Sequence, residues 1–293
     1  MEGAWLGDLR AIARRMREAL LEFFEEAPIP RSALEAKKVE EEADGVACRS
    51  LLEGLEETDR PCVLVCEDLG IRELGPKGGE KPFLVVDPLD GTRNFTRKLG
   101  IASISMAICD GPSLRHLKEA LVLDIFTGRE FWAIKGRGAF SDGREIRASR
   151  TKELSEALVS VDQSRSKKLG WVFEIVRRVD ATRQLGSASM ELCLVASGTL
   201  DAFVDLRDVI RPTDLAAGLL IAVEAGASAW LRGSSDPAGA LRPDERVKLI
   251  VASQGIFDLL LEILRSYIPE GILLPAGGRP HEEDEAGRHS RQG

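Results

Sequence analysis

Between residues 8 and 26, apolar side chains fall at Leu9, Ile12, Ala13, Met16, Leu20, Phe23 and Phe24, returning to one face every three or four positions. That stripe predicts an amphipathic helix. Pro28 and Pro30 end it, because proline donates no backbone bond to a continuing helix. A charged stretch over 35–44 is read as a loop carrying Lys37 and Lys38, which either steer phosphate or are simply solvated. A second helical pattern then runs through Leu51, Leu52 and Leu55. From residue 62 the period changes. Val63-Leu64-Val65-Cys66 and Phe83-Leu84-Val85-Val86 are short apolar runs between turn residues, which predicts buried strands. The Gly-, Pro- and Lys-rich stretch 70–81 reads as an exposed loop. Further strands are expected at 101–108, 120–125 and 130–134, with the turns of a meander over 135–144. Beyond Thr151 strands (158–161, 202–205, 249–252) alternate with helices (171–179, 187–196, 213–225, 256–267). The end, from His281, is polar and is expected to lack fixed structure.

Composition narrows the function classes. A net charge of −8 and a pI near 5.2 give no basic footprint for nucleic acid. No apolar run approaches the roughly 18 residues of a membrane span, and the amphipathic N-terminus is not a secretory signal, so a cytoplasmic protein is expected. The five cysteines (48, 62, 66, 109, 193) are scattered and read as buried thiols. Only His116, His281 and His289 are available, too little material for a histidine triad or a His-ligated zinc site. One Asn, four Gln and 29 Arg against 11 Lys suggest a thermophile.

The chemistry concentrates where strands end. Asp87-Pro88-Leu89-Asp90-Gly91-Thr92 follows an apolar strand, so Asp87 and Asp90 can converge beyond its carboxyl end, where α/β sheets place ligands. Two carboxylates and a carbonyl suit a hard cation such as Mg²⁺, and residues 91–94 can open a turn whose N–H groups hold phosphate. An Asx-type turn is the plain alternative. Glu67-Asp68 follows the other strand in the same way, and side-by-side strands would bring Glu67 beside Asp87. Asp214, ahead of an apolar helix of small residues, reads by itself as an N-cap.

Three spaced motifs carry a resemblance. DPLDGTRNF (87–95), with Glu67-Asp68 upstream and DLAAGLLIAVEAG (214–226) downstream, resembles the inositol monophosphatase family, the lithium-sensitive, magnesium-dependent phosphomonoesterases. The likeness continues through KGRGAFSDG (135–143) and RQLGSASMELCLVASGTLDAFVD (183–205). The stretch FVDLRDVIRPTDLAAG (203–218) is similar to the archaeal inositol-1-phosphatase/fructose-1,6-bisphosphatase branch. The resemblance implies an α/β (α+β) layered αβαβα sandwich, a single domain over 1–275 with sub-halves of about 1–150 and 151–275, a polar tail over 276–293, and a homodimer. It implies two or three Mg²⁺ ions, with Mn²⁺ as an alternative and Li⁺ as an inhibitor. Glu67, Asp87 and the Leu89 carbonyl then bind the first metal, with Asp87 bridging to a second held by Asp90 and Asp214. Gly91 and Thr92 contact phosphate, the Thr92 hydroxyl orients the attacking water, and Arg183, Gly186, Ser187, Ala188, Asp205 and Arg207 line the pocket for a small phosphorylated sugar or cyclitol. No nucleic-acid or membrane partner is implied. A nucleotide 3′-phosphatase and a degenerate sugar-phosphate-binding protein are the rival readings.

One departure from the family pattern concerns the base. An early acid normally pairs with the Thr of DGT, but a gapless alignment places Leu52 there. Asp44, Glu42 or Glu53 is left to take over, and Asp44, next to Gly45, is the nearest candidate.

Overall fold

The computed structural model describes residues 3–277 except 77, 165 and 167. The tail expected over 276–293 therefore lies outside the described residues from 278 onward, with His281 and His289. The chain runs α1 (Leu6–Glu26), α2 (Ala33–Thr58), β1 (Cys62–Cys66), β2 (Gly70–Leu74), β3 (Phe83–Asp90), α3 (Thr92–Thr96), β4 (Ser103–Cys109), β5 (Leu117–Asp124), β6 (Glu130–Ile134), β7 (Ala139–Ser141) and β8 (Arg144–Ile146). It continues through β9 (Leu158–Val161), α4 (Gly170–Val176), β10 (Ala181–Arg183), α5 (Ala188–Ala196), β11 (Ala202–Ile210), α6 (Pro212–Glu224), β12 (Ala227–Gly233), β13 (Val247–Ser253), α7 (Gln254–Leu264) and β14 (Ile272–Leu274).

The strands form two sheets, ordered β2-β1-β3-β4-β5-β6-β7-β8 and β10-β9-β11-β13-β12-β14. Side-chain alternation explains the layering. Along β3, Leu84 and Val86 join Leu9, Met16 and Leu51 in a core under α1 and α2, whereas Val85 joins Leu192, Leu215 and Leu219 in a core under α5 and α6. That second core also takes Phe203, Leu249 and Val251 from the other sheet, so α5 and α6 are buried between the sheets. Val204, Ile250 and Ala252 point the other way, onto Trp171, Ile175, Leu260 and Leu264 of α4 and α7. The result is an αβαβα sandwich.

Three sequence expectations need correction. The loop expected over 35–44 is helical, and α2 is continuous. Ser32 accepts from the Glu35 amide at 3.2 Å, Glu35 accepts from the Arg31 amide at 2.8 Å, and Ala36, Val39, Ala43, Ala47 and Leu51 form a buried stripe. This reciprocal cap starts the helix eighteen residues before Leu51, where the apolar signal is made mostly of alanine. Lys37 and Lys38 accordingly sit on an exposed helical face, paired with Glu41 at 3.6 Å and Glu42 at 4.0 Å. The stretch 70–81 contributes the edge strand β2, antiparallel to β1. Its polar, exposed Arg72 and Glu73 hid it, since an edge strand need not be apolar. The helix expected over 171–179 ends at Val176. No helix among the described residues is long and apolar enough to cross a membrane.

Candidate active site

β1 and β3 are parallel neighbours in the register Cys66↔Val86, so Glu67 and Asp87 leave the sheet side by side. On its other edge β3 pairs with β4, Asp87↔Ser105 and then Asp90↔Ser103. Three steps on β3 thus oppose two on β4, a bulge at the proline that donates no ladder bond. Its consequence is chemical. Residues three apart on a regular strand face opposite sides, and the extra residue turns Asp87 and Asp90 to the same side, toward the α5–α6 layer. Asp214 arrives from that layer. It is the third residue of α6 rather than its N-cap, and its Oδ2 accepts the Arg211 backbone N–H at 2.9 Å. Carboxylate oxygens of Glu67, Asp87 and Asp214 lie within 4.8 Å of one another.

Asp90 is held apart from that trio. Its Oδ2 accepts from the Ser187 hydroxyl at 2.8 Å, the Ser189 amide at 2.7 Å and the Ser189 hydroxyl at 2.6 Å. Ser103 lies behind, 2.7 Å from the Ser189 hydroxyl. All three bonds to Asp90 fall on Oδ2, and the Ala188 backbone N–H also bears on the carboxylate. The Asp87 Oδ1 accepts the Leu89 amide at 3.1 Å, which fixes the turn that presents the Leu89 carbonyl. Gly91 follows with φ 89°, and a Cβ there would lie 3.0 Å from the Ile101 carbonyl oxygen and 3.3 Å from the Ser187 Cβ, so only glycine suits the turn.

The Thr92 hydroxyl lies 2.9 Å from the Leu89 carbonyl and 3.1 Å from Asp44 Oδ1. Asp44 reaches it from mid-α2. Leu52, eight residues further, is about 12 Å along the helix axis, in a groove with Leu55, Glu56, Asp59 and Arg60. Glu53 is on another face, paired with Arg15 at 2.8 Å, and Glu42 is exposed. Among the acids near the gapless alignment, Asp44 alone meets Thr92.

Burial and mutual repulsion dominate the electrostatics. Burial first, then Asp90, Asp214 and Glu67, holds Asp87 well above the usual carboxylate range. Burial raises Glu67 to about 7 and Asp214 to about 6. Asp44 is also raised to about 7, chiefly by burial and the nearby Asp68, against the hydrogen bond from Thr92. The Arg211 guanidinium pairs with Glu67 at the edge of the trio. Crowded carboxylate oxygens with no histidine are a donor set for Mg²⁺-type ions.

The expected pocket residues divide. Gly186, Ser187 and Ala188 adjoin Asp90 and Gly91 at the head of α5, and Arg183 is exposed beside them. Arg207 corrects the picture of an arginine free to read an anion. Its guanidinium donates to Asp205 at 2.6 and 2.9 Å, to Asp162 at 2.6 Å and to the Ser164 carbonyl at 2.9 Å. It braces a loop and neutralises the fully buried Asp205, which is not left to accept substrate hydroxyls alone. Ser189, Arg211 and Glu191 were not singled out by sequence reasoning, and Asn94 entered it only as the end of the 91–94 turn. Arg211 had a signal, since it precedes Pro212 at the start of a helix whose third residue is Asp214.

The profile of the inositol monophosphatase family matches residues 9–268. The chain is 34% identical over 222 residues to the fructose-1,6-bisphosphatase/inositol-1-monophosphatase of Methanothermobacter thermautotrophicus, covering 73% of this chain and 75% of that protein. It is 29% identical over 246 residues to the Nus factor SuhB of Pseudomonas aeruginosa, covering 81% of this chain and 87% of that one. The solved structure of an extragenic suppressor from Pyrococcus furiosus superposes with a TM-score of 0.70 at 29% identity, over 89% of this chain and 98% of that one. The family profile runs from within α1 to beyond α7 and takes in all of the clustered acids, and the chain belongs to the inositol monophosphatase family.

Proposed function

We propose that this metal-dependent phosphoric monoester hydrolase uses Mg²⁺ and acts on inositol-1-phosphate, fructose-1,6-bisphosphate or both. The observation that carries the reading is the cluster of Glu67, Asp87 and Asp214 set against the Gly91–Thr92 turn, with Asp44 on the Thr92 hydroxyl. Glu67, Asp87, Asp90, Asp214 and the Leu89 carbonyl would hold the ions. Bound Mg²⁺ supplies Lewis-acid neutralisation of the phosphate oxygens and of the attacking and leaving oxygens.

The chain's own groups do the rest. The Gly91–Thr92 turn seats the phosphate beside Asp90, whose three hydrogen bonds from Ser187 and Ser189 keep it from rotating. The Thr92 hydroxyl orients the incoming water, and Asp44, raised into the neutral range, takes up the proton that this water gives away. In-line displacement on phosphorus needs positioning and charge stabilisation more than a nucleophilic side chain, which accords with a chain of three histidines. The head of α5, with Arg183 and Gly186, faces the sugar or cyclitol. The assay is phosphate release from the two substrates with Mg²⁺ and with a chelator. Release must depend on Mg²⁺, and Asp87→Asn must abolish nearly all of it in a folded protein. Near-normal turnover in Asp87→Asn would overturn the assignment.

A further inference from the structure

The loop between β10 and α5 is tied down at one residue, Leu185, through both of its backbone groups. The Leu185 amide donates to Glu191 Oε1 on α5 at 2.8 Å, and the Leu185 carbonyl accepts from Asn94 Nδ2 on α3 at 2.6 Å. Glu191 is fully buried, its Oε1 also accepts from the Ser160 hydroxyl of β9, and its Oε2 has no hydrogen-bond partner among the described residues. Asn94 is the one asparagine of a chain otherwise poor in amides, and it stands two residues after Thr92. The next residue, Gly186, has φ 76°, and its Cβ position lies 3.3–3.4 Å from the Asn94 amide, so the loop is moulded on Asn94. Ser187 then donates to Asp90. The phosphate turn and the loop facing the substrate's alcohol are therefore coupled through one asparagine side chain.

We infer that Asn94 and Glu191 are positioning residues that clamp the Leu185 backbone and hold residues 183–187 as the wall reading the non-phosphate part of the substrate. This rests on the proposal that the loop lines the substrate pocket. Neither residue reaches the reacting atoms. Asparagine is required at 94 because a carboxylate of the same shape would set an oxygen against the Leu185 carbonyl. At 191 an acceptor is required but a charge is not, so glutamine keeps the bond to the Leu185 amide while alanine leaves that buried donor unpaired.

The test compares Asn94→Asp, Glu191→Ala and Glu191→Gln with the parent chain in Mg²⁺. Hydrogen exchange over 183–189 and steady-state kinetics on inositol-1-phosphate and p-nitrophenyl phosphate, whose flat aryl group needs no hydroxyl contacts, are both read. In Asn94→Asp and Glu191→Ala the KM for inositol-1-phosphate should rise about tenfold, the effect of one buried hydrogen bond, with faster exchange at Leu185. The KM for p-nitrophenyl phosphate and the Mg²⁺ half-activation should stay within about twofold, and Glu191→Gln should restore both readouts. Equal effects on the two substrates, unchanged exchange, or a Glu191→Gln as impaired as Glu191→Ala would each overturn the clamp. If the parent chain hydrolyses neither ester, the phosphatase reading fails, and the exchange measurement still decides whether the clamp exists.

Discussion

Replacing Asp44 by Asn is the sharpest perturbation of the proposed chemistry. The amide keeps the shape of the side chain and an oxygen 3.1 Å from the Thr92 hydroxyl, so the Thr92–Leu89 turn and the metal ligands should stay in place. What it removes is a group able to take a proton. General-base assistance typically contributes about 10²–10⁴-fold, so kcat should fall by about a hundredfold or more while the Mg²⁺ half-activation barely moves. The pH profile gives a second magnitude. With its value raised to about 7 by burial and the nearby Asp68, Asp44 is about one-tenth ionised at pH 6 and about nine-tenths at pH 8. The base works only when ionised, so kcat at saturating Mg²⁺ should rise with pH, by up to about tenfold over that interval. Bound cations favour the ionised form and draw the midpoint to lower pH. In Asp44→Asn the limb should flatten. The assay is phosphate release from inositol-1-phosphate between pH 5.5 and 8.5, with circular dichroism to confirm the fold. A kcat within about threefold of the parent, or an unchanged acid limb, would refute the base assignment.

Arg207→Ala should act on stability, because it strands the fully buried Asp205 and leaves Asp162 without its partner. A loss of about 3 kcal/mol in urea unfolding is expected, whereas a change below about 1 kcal/mol would mean the pairs contribute no more than surface ones. Chelated protein should lose stability as pH rises. Asp44, Glu67 and Glu191 have folded values raised from 3.8–4.5 to about 7, so their protonated forms favour the fold below the unfolded values, and that contribution is gone once pH passes about 7. Thermal unfolding in chelator should therefore show a lower midpoint at pH 8 than at pH 5, with Mg²⁺ restoring it at pH 8 by binding the folded form. A chelated protein more stable at pH 8 would contradict this. Gly218→Ala should depress both turnover and Mg²⁺ affinity, read by activity titration, because its Cβ would fall 2.7 Å from the Leu192 Cβ and 3.1 Å from the Ser189 carbonyl where α5 meets α6.

What the sequence revealed follows from how local each signal is. Runs such as Val63-Leu64-Val65-Cys66 and Phe83-Leu84-Val85-Val86 are largely buried on both faces and announce themselves by composition, but that they pair in parallel and so set Glu67 beside Asp87 is given by the sheet register and not by the apolar pattern. The capped start of α2 was missed because its buried stripe is largely alanine among glutamates and lysines, a pattern that hydrophobic periodicity barely registers. That miss propagated into the site. With a loop at 35–44 the preference for Asp44 rested on a turn at Gly45, whereas Gly45 is inside α2 and the helix itself aims Asp44 at Thr92 and carries Leu52 two turns away. The roles of Arg207, Ser189 and Glu191 were not legible because each depends on a contact between different elements or on a side chain folding back onto its own strand. Such contacts have no period to detect.

The site lies at the seam between the first sheet and the buried helical layer, and this explains why packing and chemistry are inseparable here. β1 and β3 deliver Glu67, Asp87 and Asp90, α2 delivers Asp44 from one side, and α6 delivers Asp214 from the other. No sheet register relates Asp214 to Asp87; only the depth at which α6 sits on β3 to β6 does. That depth is set by small residues, Ala216, Ala217, Gly218 and Ala222, and by the close approach to α5 at Gly218. The same approach places Ser187 and Ser189 on Asp90. One helix–helix contact thus adjusts two carboxylates at once, so a methyl group at Gly218, remote from any reacting atom, should disturb Asp214 and Asp90 together. Isolated damage to Asp90 requires a substitution at Asp90 itself or at a hydroxyl that bonds it, such as that of Ser187.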